Sequence, residues 1–132
     1  MKITSDLIIV NKPIGQVFDF LTNFNNFEKL MPEQVVKWES NEVSGRFTIK
    51  DMAELGMKIQ DVDHNKSVLI SSDGKVPFDF TLKVNLEKKE EDQTAVHIDF
   101  DGKVGTMIAM MAKRPLTNLV NHMVEKIKHH HS

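Results

Sequence analysis

Phe78, Phe80, Leu82, Val84 and Leu86 alternate with Asp79, Thr81, Lys83, Asn85 and Glu87, and Val96, Ile98 and Phe100 alternate with His97, Asp99 and Asp101. Successive side chains of a strand point to opposite faces, so each segment carries one apolar and one wet face. That pattern belongs to an antiparallel sheet covered on one side only. The same texture runs from Pro32 to Lys103. Its strand-like stretches are "QVVKWES", "GRFTIKDM", "LGMKIQDV", "KSVLISSD", "PFDFTLKVNLE" and "TAVHIDFDG". Turn signals at "SNEVSG", "AE", "DHN" and "SDGK" separate them. The charged run "KKEEDQT" (88–94) reads as a solvated hairpin loop.

The flanks have other periods. "KITSDLIIVN" (2–11) is β-branched and predicts a first strand. Ile14, Val17, Phe18 and Leu21 then fall on one helical face, with Pro13 at the first turn where its missing N–H costs nothing. "NNFEKLM" predicts a second short helix capped by Asn25 or Asn26, with Phe27, Leu30 and Met31 inward and Pro32 as its stop. From about 106 to 128 the helical period returns. The plan is an α+β chain: a seven-stranded curved antiparallel sheet, two short helices after the first strand, and a long C-terminal helix. Only that last helix is long enough to cover the sheet. A curved sheet around one helix leaves space between them.

A chain of 132 residues with 40% apolar and 27% charged content is expected to form one soluble domain. We place it at 1–128 and set 129–132, with His129, His130 and His131, aside as a tail of affinity-tag composition. The net charge of −2, mixed along the chain, builds no basic face for nucleic acid. There is no cysteine, which removes thiolate chemistry and fits a reducing cytoplasm. The N-terminal apolar run is broken by Asp6 and does not read as a signal peptide. No run approaches a membrane span. His64, His97 and His122 show no ligand spacing, so no metal and no cofactor are expected.

Acid–base chemistry needs carboxylates facing inward. Asp51 follows the inward Phe47 and Ile49 at strict alternation, and Glu54 comes soon after, so these two are the candidate catalytic residues. The alternative is a strand end or bulge that leaves both wet. Asp61 and Ser72 share the ambiguity. Trp38 and Arg46 are candidates for a cavity mouth, with a plain core position as the alternative for Trp38.

"MIAMMAKRPL" (107–116) poses a geometric problem. At about 100° per residue, Met107, Met110 and Met111 form one patch, while Leu116, Leu119, Val120, Met123 and Ile127 form another on roughly the opposite side. One straight helix cannot turn both toward one sheet. Pro115 removes the bond to the carbonyl of Met111, so a kink or break near it is expected, giving segments of roughly 105–113 and 114–128. In the rival arrangement the helix is continuous, Ala109, Ala112, Leu116, Leu119 and Met123 face inward, and the methionines lie outside. The expected cavity wall is Trp38, Phe47, Met52, Met57, Phe78, Phe80, Phe100, Met107, Met110, Met111, Leu119 and Met123.

The stretches "IIVNKPIGQVFDFLTNFNNFEKLMP" (8–32), "GRFTIKDMAELGMKI", "SDGKVPFDFTLKVNLE" and "KRPLTNLVNHMVEKIK" together resemble the START/birch-pollen-allergen-like superfamily. These are the SRPBCC domains with the helix-grip fold. The more specific likeness is to a bacterial branch often labelled polyketide-cyclase-like. The resemblance covers nearly the whole chain and implies a cavity between sheet and helix for an apolar or amphipathic small molecule, lipid-like or polycyclic. It carries over no catalytic residue. Three functions follow as expectations: a hydrophobic-ligand carrier, a cyclase- or hydratase-like enzyme on small carbonyl or polycyclic substrates, and an interaction or homodimerisation module using Met107, Met110 and Met111.

Overall fold

The computed structural model describes residues 1–132. Six strands form an antiparallel meander: β3 (Val35–Ser40), β4 (Ser44–Ile49), β5 (Ala53–Asp63), β6 (Ser67–Ser72), β7 (Phe80–Glu90) and β8 (Gln93–Gly102). The N-terminal segment closes the far side by pairing antiparallel with β8. The apolar series expected from alternation is buried from Phe80 to Leu86 and from Val96 to Phe100. Phe78 departs from it. It precedes β7 in a loop, half-buried, with its ring edge-on to Phe80.

The single first strand expected over 2–11 is two, β1 (Lys2–Thr4) and β2 (Ile8–Val10), so the sheet has eight strands. Thr4 pairs with Asp99 and Ile8 with Val96, so three residues, Ser5 to Leu7, oppose two. This one-residue bulge reverses the facing of everything after it. Ile3 and Val10 are thereby both buried, although their numbers differ in parity. Ser5 repairs the ladder: its N–H donates to the Ile98 carbonyl at 2.8 Å, and the Ile98 N–H donates to Ser5 Oγ at 2.8 Å. Ser5→Ala strands a buried amide, and we expect about 1–3 kcal/mol of lost stability by urea unfolding. A loss within error means the bulge tolerates an unpaired N–H.

Helix α1 (Ile14–Leu21) buries Val17, Phe18 and Leu21, with Pro13 at its N-cap. The expected second short helix is a 3-10 turn, Phe24–Leu30, burying Phe24, Phe27 and Leu30. Its cap is Asn23, not Asn25 or Asn26; the Asn23 side chain accepts from the Asn25 N–H. Helix α2 (Thr106–His130) lies against β1, β2, β8 and the 3-10 turn. No helix is long and apolar enough to cross a membrane.

Residues 105–113 and 114–128 are not separate segments. α2 is one element with Pro115 inside it. Pro115 sits on an exposed flank, so the Met111 carbonyl that it leaves unpaired is not sealed in the core. The inward stripe is Ala112, Leu116, Leu119, Val120, Met123, Val124 and Ile127. The rival arrangement is therefore the one observed, and Met107, Met110 and Met111 stand 77–79% exposed. The helix also outlasts the boundary at 128. His131 is buried, with Nδ1 2.7 Å from the Ile127 carbonyl and its ring edge-on to Phe20.

Candidate functional site: a cavity beneath the terminal helix

Between the first half of α2 and the ends of β3, β4 and β5 lies a cavity of about 820 Å³. The sheet side is Val35, Ile49, Ala53 and Leu55, and the helix side is Ile108, Met111, Ala112, Pro115, Leu116 and Leu119. Pro32 and Gln34 close one end, and Pro77 and Phe78 face it from the loop before β7. Ala112 on α2 and Ala53 on β5 have the smallest side chains of the wall, so neither fills the space between helix and sheet.

Of the expected wall, Met52, Phe78, Met111 and Leu119 border the cavity. Phe47, Met57, Phe80, Phe100 and Met123 are almost wholly buried core. They fill the sheet face beyond the cavity rather than line it. Met107 and Met110 point away from it, 78% and 79% exposed. Trp38 is not at the mouth. A bulge with Lys37 at φ 55° turns it inward, where it stacks on Phe24 at 5.6 Å and Phe47 at 5.0 Å between ring centroids. Its indole N–H donates to Ser40 Oγ at 2.8 Å. The bulge also blunts β3, which is an open edge of the sheet.

Arg46 is a strap rather than a mouth residue. Its guanidinium donates to the carbonyls of Asp73 (3.1 Å) and Lys75 (2.7 Å) and pairs with Glu54 at 2.9 Å. It thus pins the loop that carries Pro77 and Phe78. Gly56 makes this possible: a Cβ there would collide with the Asp73 carbonyl and the Arg46 guanidinium.

Asp51 borders the cavity as an exposed residue, and Glu54 does not border it. Alternation ends at Ile49, because Lys50 to Met52 form a turn with Asp51 at φ 63°. Asp51 is exposed on the rim, and Glu54 is spent on Arg46 with its side chain 62% exposed. Asp61 is exposed beside a bulge in β5, and the Ser72 hydroxyl accepts from the Phe80 N–H. No group of three or more His, Asp and Glu is placed to hold a metal ion.

The polar residues that sequence reasoning missed lie on α2. Arg114, Asn118 and His122 follow one another at four-residue spacing, and all three border the cavity. An apolar-stripe search could not find them, because they flank the stripe. His122 Nε2 is shut off from solvent without a hydrogen-bond partner. Burial holds His122 below the usual imidazole value, Lys126 adds to this, and the Met31 backbone opposes it. His130 is lowered too, by burial and then by His131 and Lys29.

Both shifts favour the neutral ring in the folded chain. As pH falls below about 6.5 the unfolded chain binds protons that the folded chain resists, so stability drops on acidification. We expect a lower urea midpoint at about pH 5.5 than at about 7.5, with a smaller drop in His122→Phe. An unchanged drop in that variant excludes His122 as its source.

With this geometry in place, the relatives can be compared. The CoxG family model, which describes a component of carbon monoxide dehydrogenase, matches residues 8–130. The chain belongs to the CoxG family. No curated protein matches it. Among solved structures, a START superfamily protein from Mycobacterium smegmatis superposes on this CoxG-family chain with a TM-score of 0.72 at 10% identity, covering 98% of this chain and 96% of that one. KanY gives 0.77 at 8% identity, over 98% and 96%. A protein from Arthrobacter aurescens gives 0.74 at 14% identity, over 96% and 83%. At these identities the likeness establishes the fold alone: the CoxG-family chain has the START-like helix-grip architecture.

Proposed function

We propose that the chain binds and carries a small hydrophobic or amphipathic molecule, lipid-like or polycyclic, in the cavity beneath α2. The observation that carries this reading is the cavity itself. Its volume of about 820 Å³ falls in the range of small-molecule sites, and its wall joins an apolar majority to polar residues at Gln34, Lys50, Asp51, Arg114, Asn118 and His122. Carriage is favoured over catalysis because Asp51 is exposed and Glu54 does not border the cavity. The cysteine-free composition suits a reducing cytoplasm.

Native mass spectrometry of the purified protein, with solvent extraction of the same sample, tests the reading. A discrete added mass, released into the organic phase as one apolar compound, supports it. A chain that carries none and binds no aromatic or aliphatic probe sinks it.

A second reading rests on Met107, Ile108, Met110 and Met111, which are 53–79% exposed at the start of α2. A patch of flexible apolar side chains suits protein contact, and the family is described as one component of a larger enzyme. Sedimentation that finds a dimer, dissolved by Met107→Lys with Met110→Lys, supports self-association. A monomer at high concentration removes the homodimer.

A further inference from the structure

His122 is an unusual residue to leave beside an apolar space. His122 is half-buried on the flank of the stripe of Leu116, Leu119, Val120 and Met123, side chains that need no partner. An imidazole does, and a buried polar atom without one is a standing penalty. In the whole chain only two buried side-chain polar atoms lack a partner, His122 Nε2 and Asn65 Oδ1. Asn65 is explained by its turn between β5 and β6, where it adopts φ 56°. The turn accounts for an asparagine; for the histidine, the Met31 backbone bears on the ring, yet Nε2 makes no hydrogen bond.

The surroundings give the missing partner its chemistry. His122 borders the cavity, and Asn118 and Arg114 border it one and two turns earlier on the same flank. Arg114 is exposed and makes no ion pair, so it stands in water at the mouth. Moving along the flank, the polar groups change from a solvated cation to an amide to a sheltered ring. No carboxylate stands on that flank. A neutral imidazole offers one donor and one acceptor. Nε2 is shut off from solvent, so an oxygen that meets it leaves water, and an uncharged oxygen is far cheaper to desolvate than a carboxylate; burial and Lys126 also disfavour protonation of the ring.

We infer that His122 is the polar anchor of the cavity, and that the molecule it holds is an apolar body ending in a neutral hydroxyl or carbonyl oxygen. This rests on the ligand-binding reading above and narrows it. An alkane-like or purely aromatic hydrocarbon leaves the imidazole unpaired. A carboxylate must lose its hydration beside a ring that does not readily become cationic.

Three probes with one aromatic body separate the cases: naphthalene, 2-naphthol and 2-naphthoate, titrated calorimetrically into the full chain. A wholly apolar cavity holds the naphthol more weakly than the hydrocarbon, because the hydroxyl prefers water. A hydrogen bond reverses that order, so 2-naphthol is expected to bind about fivefold tighter than naphthalene and tighter than 2-naphthoate. In His122→Leu the naphthol preference disappears, and in His122→Gln, which keeps a donor and an acceptor, it persists. Naphthol binding no tighter than naphthalene in the unaltered chain overturns the inference, whether or not the variants fold. So does a preference for naphthoate, or a naphthol preference that survives His122→Leu. If none of the three probes binds, the cavity reading itself fails. If all bind without the ordering, only the role of His122 fails.

Discussion

A chain carrying Ala53→Trp together with Ala112→Phe is expected to bind 2-naphthol about 100-fold more weakly than the unaltered chain while staying folded. Both alanines border the cavity, one on β5 and one on α2. Rings placed there project from facing walls into the space a ligand needs. A 100-fold loss is about 2.7 kcal/mol, an amount within reach of losing most of the apolar contact of a bicyclic molecule. The new rings bury their own apolar surface, so the fold gains what the ligand loses, minus an overpacking cost of about 1–3 kcal/mol. Calorimetric titration with thermal melting of the same sample reads both quantities. Affinity within threefold of the unaltered chain shows that the probe binds elsewhere.

Phe24→Ala is expected to remove about 3–5 kcal/mol from the free energy of unfolding, the range for deleting a buried aromatic ring. Phe24 is fully buried in the middle of a stack running Phe27, Phe24, Trp38, Phe47. Its ring centroid is 5.0 Å from that of Phe27 and 5.6 Å from that of Trp38, at interplanar angles of 11° and 10°. Deleting it opens a gap between two rings that cannot close on each other without moving the 3-10 turn against β3. Gly45 lies beneath the ring: a Cβ there would sit 2.8 Å from Phe24 Cε2. Urea unfolding measures the loss. A change below about 1 kcal/mol means that the neighbours collapse into the gap, and that the stack contributes little beyond its surface burial.

Much of this architecture is legible one residue at a time. The alternation from Phe80 to Leu86 survives into the structure because period 2 is a property of the strand backbone itself. The helix face of Val17, Phe18 and Leu21 survives for the same reason at period 3.6. The N-terminal strand is misread where periodicity breaks. Ser5 looks like an ordinary polar residue in a β-branched run, and only the register of β8 shows that it interrupts the ladder. Asp51 is misread likewise. Counting from Phe47 and Ile49 turns it inward, but a left-handed turn ends the count.

The site is less legible than the fold. Four of the expected wall residues, Met52, Phe78, Met111 and Leu119, do border the cavity. The large buried side chains Phe47, Met57, Phe80, Phe100 and Met123 do not, because hydrophobicity marks what leaves water, and packed core and open wall leave it equally. His122 carried no pattern of its own. Its meaning comes from one nitrogen that finds no partner, and a partner is a matter of neighbours across the fold.

The sequence by itself determined the one-faced antiparallel sheet and the helix that covers it. Those follow from backbone periodicity and from runs long enough to carry it. Only the tertiary structure decided which way the methionines of α2 point. The two apolar patches compete for one sheet, and the larger stripe from Ala112 to Ile127 wins because it meets β1, β2 and β8 without breaking the helix at Pro115. The cavity was decided the same way. It lies where small side chains on α2 and β5, elements distant in sequence, border the same space, and spacing along one chain does not encode that distance.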